Sequence, residues 1–373
     1  MRLLLSFLIL STVAACIDRN ATHVIEEAAG VGDTRGIYVA TNRKLNDNGR
    51  LKGDRGKKLL FEEVLVSIPP SHKTGELTAN QVDPVAAESF VFAKRRPIDD
   101  EAQFLADIQR DLRVLPKADR QLTLFVHGYN NSYPESIFRA AQLSHDLIIP
   151  GITLAFSWPS RARFLNYLYD HDSALYSRDE LVDVLKIMAN SGATRINLVG
   201  HSMGAFLLME ALQQIEHREP GFTAKRLGGV FLISPDIDLG VFKKQIAHFD
   251  PLPVPFGIVV SRKDAALRVS EVINGPSRRL GRHLNPEGLD QYSLAILDVS
   301  NFATGRDGNH FTFGNSSNLI SIFQRREAVE SILFPRDAPE LSGPQEYEVL
   351  GATVVQTQRA RLLTFSVQPN DGR

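Results

Sequence analysis

Apolar segments rich in β-branched and aromatic residues alternate with longer helix-like segments along most of the chain. The apolar segments have the length and composition of β-strands. From residue 121 onward they are almost continuously apolar, which is typical of parallel strands buried on both faces. The predicted strands are residues 37–41, 59–68, 89–93, 121–127, 152–157, 195–199, 228–233, 256–261 and 293–298.

Helix-like segments fill most of the intervals between these strands. The predicted helices are residues 101–115, 134–148, 177–190, 203–217, 238–248, 265–273 and 316–332. Strands that alternate with helices of about 10–15 residues form βαβ units, in which helices cover both faces of a mostly parallel sheet. The pattern therefore predicts an α/β protein.

The 373 residues are enough for two or three domains or for one large one, at about 150 residues a domain. Because the alternation is continuous, we expect one α/β domain over residues 36–335, in which 36–95 form an N-terminal strand region. Residues 16–35 are polar and contain glycine, which favours a tether. Residues 336–373 are predicted as a C-terminal extension, in which 346–368 either add a hairpin or pack along the outside.

The first fifteen residues have the pattern of a secretory signal peptide. Arg2 precedes a short apolar run, residues 3–15, which ends in small side chains. This run is too short to span a bilayer as a helix, since a span needs about 20 apolar residues. We therefore expect residues 1–15 to be removed on export.

The single cysteine of the chain, Cys16, comes directly after this run, in the sequence Val13-Ala14-Ala15-Cys16. That sequence resembles the lipobox of bacterial lipoproteins, and the resemblance implies that Cys16 carries a lipid anchor in the cell envelope. Ile17 follows, and a non-acidic residue at this place in Gram-negative lipoproteins implies the outer membrane. The alternatives are an ordinary signal peptide cut after Ala15, or a buried start of the chain.

Composition excludes several classes of protein and site. The chain has 42 Lys and Arg against 43 Asp and Glu, whereas nucleic-acid binders usually carry a basic surplus. One cysteine cannot form an internal disulfide or a cysteine-based metal site. Asp170-His171-Asp172 has metal-ligand residue types but no partner pattern, so a solvated loop is favoured. No phosphate-binding glycine pattern follows a first strand, and we expect neither a metal nor another cofactor.

Residues 195–204 read Arg-Ile-Asn-Leu-Val-Gly-His-Ser-Met-Gly and contain Gly-x-Ser-x-Gly around Ser202. The pattern alone is weak evidence, but a buried strand enters it and a strong helix former follows it. This is the context of a nucleophile elbow, in which serine takes a positive φ above the sheet and the helix N-terminus favours negative charge. The alternative is a glycine-rich turn with an incidental serine.

A second loop is expected to lie beside this turn, because the predicted strand 121–127 runs into His127-Gly128-Tyr129. In this architecture, the loop after an earlier strand supplies one backbone N–H to the oxyanion hole. We expect the N–H groups of Tyr129 and Met203 to be the two donors. Gly128 lets the backbone approach the substrate, and His127 either lies at the pocket or braces the loop.

The base and the acid follow from their places in the chain, because the order in this architecture is serine, acid and histidine. The histidines after Ser202 are His217, His248, His283 and His310. Only His310 follows the last predicted strand, where the base belongs. Asp264 follows the penultimate strand and is the expected acid, although it could instead be the N-cap of helix 265–273. Asp236 is the alternative acid.

Aromatic residues concentrate between the oxyanion loop and the nucleophile. Trp158 follows strand 152–157, so we expect it to flank the substrate pocket. Residues 160–176 could form a short lid. An aromatic wall suits an acyl or aryl group, but packing of a loop on the core explains the same cluster. The tyrosines of this region are Tyr129, Tyr133, Tyr167, Tyr169 and Tyr176.

Several motifs together resemble a bacterial α/β-hydrolase family that is catalogued as a domain of unknown function, the nine-hundred group. They cover roughly residues 36–315 and are Val39-Ala40-Thr41-Asn42-Arg43, V-S-I-P-P-S-H at 66–72, F-V-H-G-Y-N at 125–130, F-S-W-P-S at 156–160, L-V-G-H-S-M-G at 198–204 and D-I-D at 236–238. The resemblance implies an α/β-hydrolase fold and serine-hydrolase chemistry. It supplies no substrate.

The sequence therefore predicts a membrane-anchored serine hydrolase for a small-molecule or lipid ester, with Ser202, Asp264 and His310 as its triad. Thioester and amide cleavage use the same machinery and stay open. The alternative is an envelope binding or assembly lipoprotein that uses this fold without turnover, since fold does not determine function.

Overall fold

Twelve strands form one sheet in the part of the chain that this computed structural model describes, residues 19–365 except 81, 254, 276, 284–287, 326–344, 350–351 and 358. The strands are β1 (Asp33–Leu45), β2 (Leu51–Ile68), β3 (Val91–Ile98), β4 (Gln121–Val126), β5 (Ile152–Phe156), β6 (Arg195–His201), β7 (Gly229–Ile233), β8 (Phe256–Val260), β9 (Ala295–Asp298), β10 (Gln345–Val349), β11 (Ala352–Gln356) and β12 (Arg361–Phe365). The predicted signal peptide and Cys16 lie outside the described residues.

Helices connect most of the strands. They are α1 (Glu101–Val114), α2 (Tyr133–Asp146), α3 (Tyr167–Tyr176), α4 (Arg178–Ala189), α5 (Met203–Arg218), α6 (Phe222–Arg226), α7 (Leu239–Ile246), α8 (Ala265–Ile273), α9 (Thr312–Asn315) and α10 (Ser317–Gln324). None of the helices in the described residues is both long and apolar enough to cross a membrane.

The sheet has the order β10-β11-β12-β9-β8-β7-β6-β4-β5-β1-β2-β3. The eight central strands, from β12 to β1 in this order, all pair in parallel with one another. β10 and β11 add an antiparallel edge on one side, and β2 and β3 add one on the other. Because the parallel strands point the same way, the loops after β4, β6, β8 and β9 emerge at one edge of the sheet. Catalytic and binding groups of open α/β sheets collect at this carboxyl edge.

Side chains of one strand point alternately into two cores, so both faces of the sheet are covered. Leu124 of β4 belongs to the core under α1, α4, α5 and α7, and Phe125 belongs to the core under α2, α9 and α10. This is the two-sided burial that the continuous apolar runs predict.

The N-terminal strands are longer than their apolar runs. Residues 51–58, most of which are polar or glycine, belong to β2 because this segment pairs with β1 as far as Leu45↔Leu51. β3 likewise extends past its apolar start, and its Arg95 and Arg96 form ion pairs with Glu62 and Glu63 of β2. Backbone pairing and cross-strand charge pairs support strand structure here without apolar periodicity.

Residues 19–35 pack on the domain and are not a free tether. Ala28 is fully buried, and Ile25 packs with it against Val91 and Ala93. The Arg19 guanidinium lies 2.7 Å from the Glu135 carboxylate. A few apolar residues within a polar segment are enough to bind it to the edge of the sheet.

The described part of the C-terminal extension continues the sheet. β12 pairs in parallel with β9, and β11 and β10 follow it as antiparallel strands. Val354 and Leu363 are buried in the core on the α2 side. The sequence leaves open a hairpin or packing along the outside for 346–368. The described residues of this segment form antiparallel strands that join the sheet.

Candidate active site

Ser202 occupies the sharp turn between β6 and α5, with φ +53° and ψ −121°. A positive φ is strained for a residue with a Cβ atom, and it lifts the side chain off the sheet. The neighbouring glycines allow strand and helix to meet: a Cβ at Gly200 would lie 2.7 Å from the Cα of Ala205. A Cβ at Gly204 would lie 2.2 Å from the His127 carbonyl oxygen. The turn has the geometry expected of a nucleophile elbow.

His310 and Asp264 meet at the carboxyl edge of the sheet. The Nδ1 atom of His310 lies 2.8 Å from Oδ2 of Asp264, which is fully buried. Since an ionised carboxylate only accepts, Nδ1 carries the proton and Nε2 is left as the acceptor. Oδ1 of the same carboxylate accepts the N–H of Leu267 at 2.9 Å and caps α8. The two roles considered for Asp264 are therefore combined in one side chain.

Charge and burial act in opposite directions on His310. Burial by itself would lower the pKa of its imidazole, but the nearby carboxylates, with Asp264 foremost, together outweigh burial and raise that pKa. The ring of His201 lies 4.8 Å from the His310 ring and 4.5 Å from that of Phe311. Burial and the neighbouring His310 hold the pKa of His201 well below its usual range. His201 is thus a neutral support beneath the His310 loop.

Asp236, the alternative acid, has other partners. Its Oδ2 accepts the Tyr167 hydroxyl at 2.8 Å, and its Oδ1 accepts the Ser270 hydroxyl at 2.7 Å. Arg279 lies 3.3 Å from Oδ1. The carboxylate that meets the His310 imidazole is that of Asp264.

The loop after β4 lies directly against the nucleophile turn. A Cβ at Gly128 would come within 2.9 Å of the Ser202 Cβ, so only glycine fits there. In the part of the chain that the structure describes, the backbone N–H groups of Tyr129 and Met203 donate no hydrogen bond to protein atoms. Both expected oxyanion donors are therefore available beside Ser202.

A family model described as an alpha/beta hydrolase of unknown function (DUF900) matches residues 100–326. The chain belongs to this family. Its fold is the α/β-hydrolase fold, and its sheet order and elbow agree with that assignment. No curated protein matches the chain.

Solved structures with this architecture are remote from the chain in sequence. A YdeN-like hydrolase of Pectobacterium atrosepticum is 18% identical over 61% of this chain and 100% of its own, with a TM-score of 0.32. The dienelactone hydrolase of Anabaena variabilis is 12% identical over 74% of this chain and 93% of its own, with a TM-score of 0.37. The esterase Est2 of Thermogutta terrifontis is 12% identical over 79% of this chain and 93% of its own, with a TM-score of 0.33.

A cavity of about 250 Å³ opens beside Ser202 and His310 in this α/β hydrolase. Most of its wall is apolar, and Asp236 and Ser270 supply polar atoms. The other lining residues are Tyr129, Phe164, Leu165, Tyr167, Leu168, Ala266, Leu267, Val269 and Ile273. A small apolar cleft with few polar groups suits an acyl chain.

His127 and Trp158, which the sequence predicts at the pocket, are not part of this wall. Both side chains are buried, and their rings stack with centroids 4.8 Å apart. The indole N–H of Trp158 donates to the His127 carbonyl at 2.7 Å. The pair joins the ends of β4 and β5, and burial with the charge of Arg43 lowers the pKa of His127 to about 3. Of the two roles considered for His127, the structure supports bracing.

Arg43 supports the same loops, a role that sequence reasoning missed. Its buried guanidinium donates to the carbonyls of Asn131 at 3.0 Å and Ser160 at 2.9 Å, and to the Ser157 hydroxyl at 3.0 Å. Burial lowers the pKa of this guanidinium to about 9. The available signal was an arginine that closely follows the apolar run 37–40.

Asp170 is also a support, and the solvated loop predicted for residues 170–172 is wrong. These residues belong to α3, and the Asp170 carboxylate is fully buried. It accepts the Ser160 hydroxyl at 2.5 Å and the Asn130 N–H at 3.2 Å. It therefore holds the loop that follows Tyr129.

A separate group of metal-ligand residue types, His72, His145 and Asp146, lies at the far end of α2. Within the described residues, the ligand atoms of these three side chains lie within 4.8 Å of one another. Hydrogen-bond distances account for this closeness: His72 Nε2 is 2.6 Å and His145 Nδ1 is 3.1 Å from Asp146 Oδ1. The group joins α2 to the loop after β2.

Proposed function

We propose that this α/β hydrolase cleaves carboxylic esters through a Ser202–His310–Asp264 triad and an acyl-enzyme. The observation that carries the proposal is the 2.8 Å contact between Asp264 Oδ2 and His310 Nδ1, next to a cavity that Ser202 and His310 both line. A buried carboxylate on Nδ1 holds the imidazole in the tautomer whose Nε2 can accept a proton.

In the first step, the Ser202 hydroxyl oxygen bonds to the ester carbonyl carbon while His310 Nε2 takes the hydroxyl proton. The ester C–O bond then breaks, and His310 returns the proton to the departing alcohol. Water repeats the sequence on the acyl-enzyme and releases the acid, which restores Ser202. Asp264 remains ionised and stabilises the imidazolium.

Negative charge develops on the carbonyl oxygen during both steps. The N–H groups of Tyr129 and Met203 are the proposed donors to it, and the N-terminus of α5 adds a favourable dipole. Loss of one such donor typically costs about 3 kcal/mol of transition-state stabilisation. The apolar wall of the cavity favours an acyl chain, and ester, thioester and amide substrates with the same acyl group would distinguish the bond that is cleaved.

A fluorophosphonate probe tests the nucleophile, because it phosphonylates an activated serine. We expect labelling of the full chain and of Ser144→Ala, which removes a buried serine on α2. Ser202→Ala should abolish labelling, and His310→Asn should slow it by about 10³-fold or more. Labelling that persists in Ser202→Ala would refute the triad. No labelling of the folded wild-type chain would favour the non-catalytic envelope role.

We further propose that a lipid on Cys16 anchors the enzyme in a bacterial envelope, with the outer membrane as its site. The support is the apolar run 3–15 and its junction with the only cysteine. Cells fed radiolabelled palmitate should label the wild type and Ser202→Ala equally. Cys16→Ala should lose the label and move to the soluble fraction, and membrane association that survives this change would contradict the anchor.

A further inference from the structure

Large apolar side chains surround the mouth of the cavity and remain exposed. On one side, Leu165 is 92% and Leu168 is 68% exposed, next to exposed Phe164. On the other side, α8 presents Val272, which is 79% exposed, next to exposed Val269 and Ile273. We call these six residues the apolar rim: Phe164, Leu165, Leu168, Val269, Val272 and Ile273.

The apolar rim is continuous with the catalytic cavity. Five of its members also line the cavity that holds Ser202 and His310, and only Val272 lies outside that wall. The Tyr129 hydroxyl donates to the Phe164 carbonyl, so the oxyanion loop is bonded to the rim. An exposed apolar patch of this kind usually marks a binding surface.

α8 carries apolar side chains on its exposed face as well as on its buried one. Its Leu267 and Ser270 face the interior, whereas Val269, Val272 and Ile273 face outward. Surface helices normally place polar residues on the outer face. The apolar part of this exposed face therefore favours a partner that is itself apolar.

Exposed cations flank the rim. Arg163 directly precedes Phe164, Lys263 precedes the cap of α8, and Arg268 lies one turn before Val272. Among the described residues, none of these three forms an ion pair. The nearby acid Glu271 is paired with Arg282, and Asp54 is paired with Arg161. Apolar side chains flanked by three unpaired cations match an anionic lipid surface.

We propose that the apolar rim inserts into an anionic lipid surface, from which the cavity takes an acyl-lipid ester. The hydrolytic part rests on the proposed function, whereas insertion of the rim does not. With the rim in the acyl region, an ester at the headgroup boundary would lie next to Ser202 and would enter without crossing water. The cations would then contact the lipid phosphates.

Insertion can be measured at a single residue, because the chain has only one cysteine. In a full-length Cys16→Ser background, Leu165→Cys is labelled with an environment-sensitive fluorophore. Val114→Cys is the control, since Val114 is 80% exposed and precedes the amino edge of the sheet. Phosphatidylglycerol vesicles should shift the emission to the blue at residue 165 only, and phosphatidylcholine vesicles should do so less.

Equal responses at residues 165 and 114, or none at 165, would overturn the proposal. So would a response at 165 that depends on protein concentration without vesicles, because that outcome makes the rim an interface between copies of the chain. The same labelled protein with Ser202→Ala added should still insert. If insertion persists but no ester is cleaved by the wild type, the surface is supported and the proposed function fails.

Val272→Glu tests whether insertion delivers substrate, because Val272 belongs to the rim but not to the cavity wall. On an ester carried in phosphatidylglycerol vesicles, we expect its rate to fall about tenfold or more. On a soluble short-chain ester its rate should stay within about twofold of the wild type, and Val114→Glu should match the wild type on both. Equal loss on both substrates for Val272→Glu would refute delivery from the surface.

Discussion

The Asp264 carboxylate binds two partners at once, one with each oxygen. Oδ2 meets His310 Nδ1, and Oδ1 caps α8 through the Leu267 N–H. The cap holds the carboxylate in position, so the orientation of His310 depends on where α8 begins. A capping aspartate in sequence is thus compatible with a role in the triad, and the two interpretations do not compete.

Asp264→Asn separates these roles, because asparagine caps helices about as well as aspartate. We expect the free energy of unfolding to change by less than about 1 kcal/mol, while kcat falls roughly 10³–10⁴-fold. kcat/KM rises with pH as His310 loses its proton. Because Asp264 raises the pKa of His310, this rise should occur at lower pH in the variant.

The pH–rate profile and a denaturation curve check both expectations. Asp238→Asn is the matched control, since Asp238 caps α7 through the Val241 N–H. It should keep the wild-type profile. An Asp264→Asn profile with an unchanged inflection would show that Asp264 does not set the protonation of His310.

Gly204 is the residue on which the elbow depends most directly. In Gly204→Ala, the new Cβ would lie 2.4 Å from the Val126 carbonyl oxygen as well as close to that of His127. Since β4 and α5 cannot separate without disrupting the oxyanion loop, we expect a loss of about 3 kcal/mol of stability or more, and of activity.

Gly36→Ala is the control for this change, because no atom lies within 4 Å of the place that the alanine Cβ would take, and the φ of Gly36 is not positive. Its free energy of unfolding should stay the same or rise by up to about 1 kcal/mol. Thermal denaturation and ester turnover of both variants give the comparison. Wild-type stability of Gly204→Ala would mean that the turn can accept a Cβ atom at position 204.

At the scale of elements, buried polar side chains hold the loops of the candidate active site in place. His127 and Trp158 join β4 to β5, and Arg43 of β1 binds the loops that follow both strands. Asp170 of α3 holds the same region from the other side. Buried polar groups of this kind are fully hydrogen-bonded because an unpaired one costs about 1–3 kcal/mol.

The C-terminal strands are a second element whose contribution can be measured. Leu363 of β12 is buried beside β9, so Leu363→Ala should lower the free energy of unfolding by about 2–4 kcal/mol. Val114→Ala, at an exposed position, should change it by less than about 0.5 kcal/mol. Chemical denaturation checks both, and an unaffected Leu363→Ala would mean that β12 is not part of the folded core.

At the scale of the whole molecule, the buried Asp146 carboxylate joins α2 to the loop after β2 near the amino edge of the sheet. Besides His72 and His145, it accepts the Gly75 N–H at 2.8 Å and the Gln142 amide at 2.6 Å. Burial opposes its charge, but these hydrogen bonds outweigh burial and lower the pKa of Asp146. The bond to Asp146 outweighs burial and raises the pKa of His145.

These pKa shifts predict a pH dependence of stability. The contribution of Asp146 is present above its ordinary pKa of 3.8 and is lost as pH falls through its lowered folded value. The contribution of His145 is complete below its ordinary pKa of 6.5 and is lost as pH rises through its raised folded value. Together they should be largest between those two ordinary values.

Asp146→Asn tests this dependence. It leaves donors without an acceptor, so we expect a loss of about 1–3 kcal/mol at pH 5.5 and a smaller loss at pH 8. Urea denaturation at both pH values measures the difference. A loss of stability that is larger at pH 8 than at pH 5.5 would contradict a stabilising interaction between protonated His145 and Asp146.

Much of the fold was predictable because burial leaves a local periodicity. The nine strand segments predicted up to residue 298 all contain a strand, although β1 and β2 extend into polar sequence. The elbow was predictable because Gly200, Ser202 and Gly204 lie within five consecutive residues of the chain. Trp158 was misplaced because an aromatic residue after a strand packs equally well into a core or a pocket.

The sequence by itself determined the alternation of strands and helices, the nucleophile turn and the order of the candidate site residues. These features are local, because periodicity and tight turns depend on neighbouring residues. Only the tertiary structure decided which carboxylate meets His310, that residues 19–35 pack on the sheet, and that exposed apolar residues from two segments form one rim. Those outcomes depend on contacts between residues far apart in the chain, which no local pattern encodes.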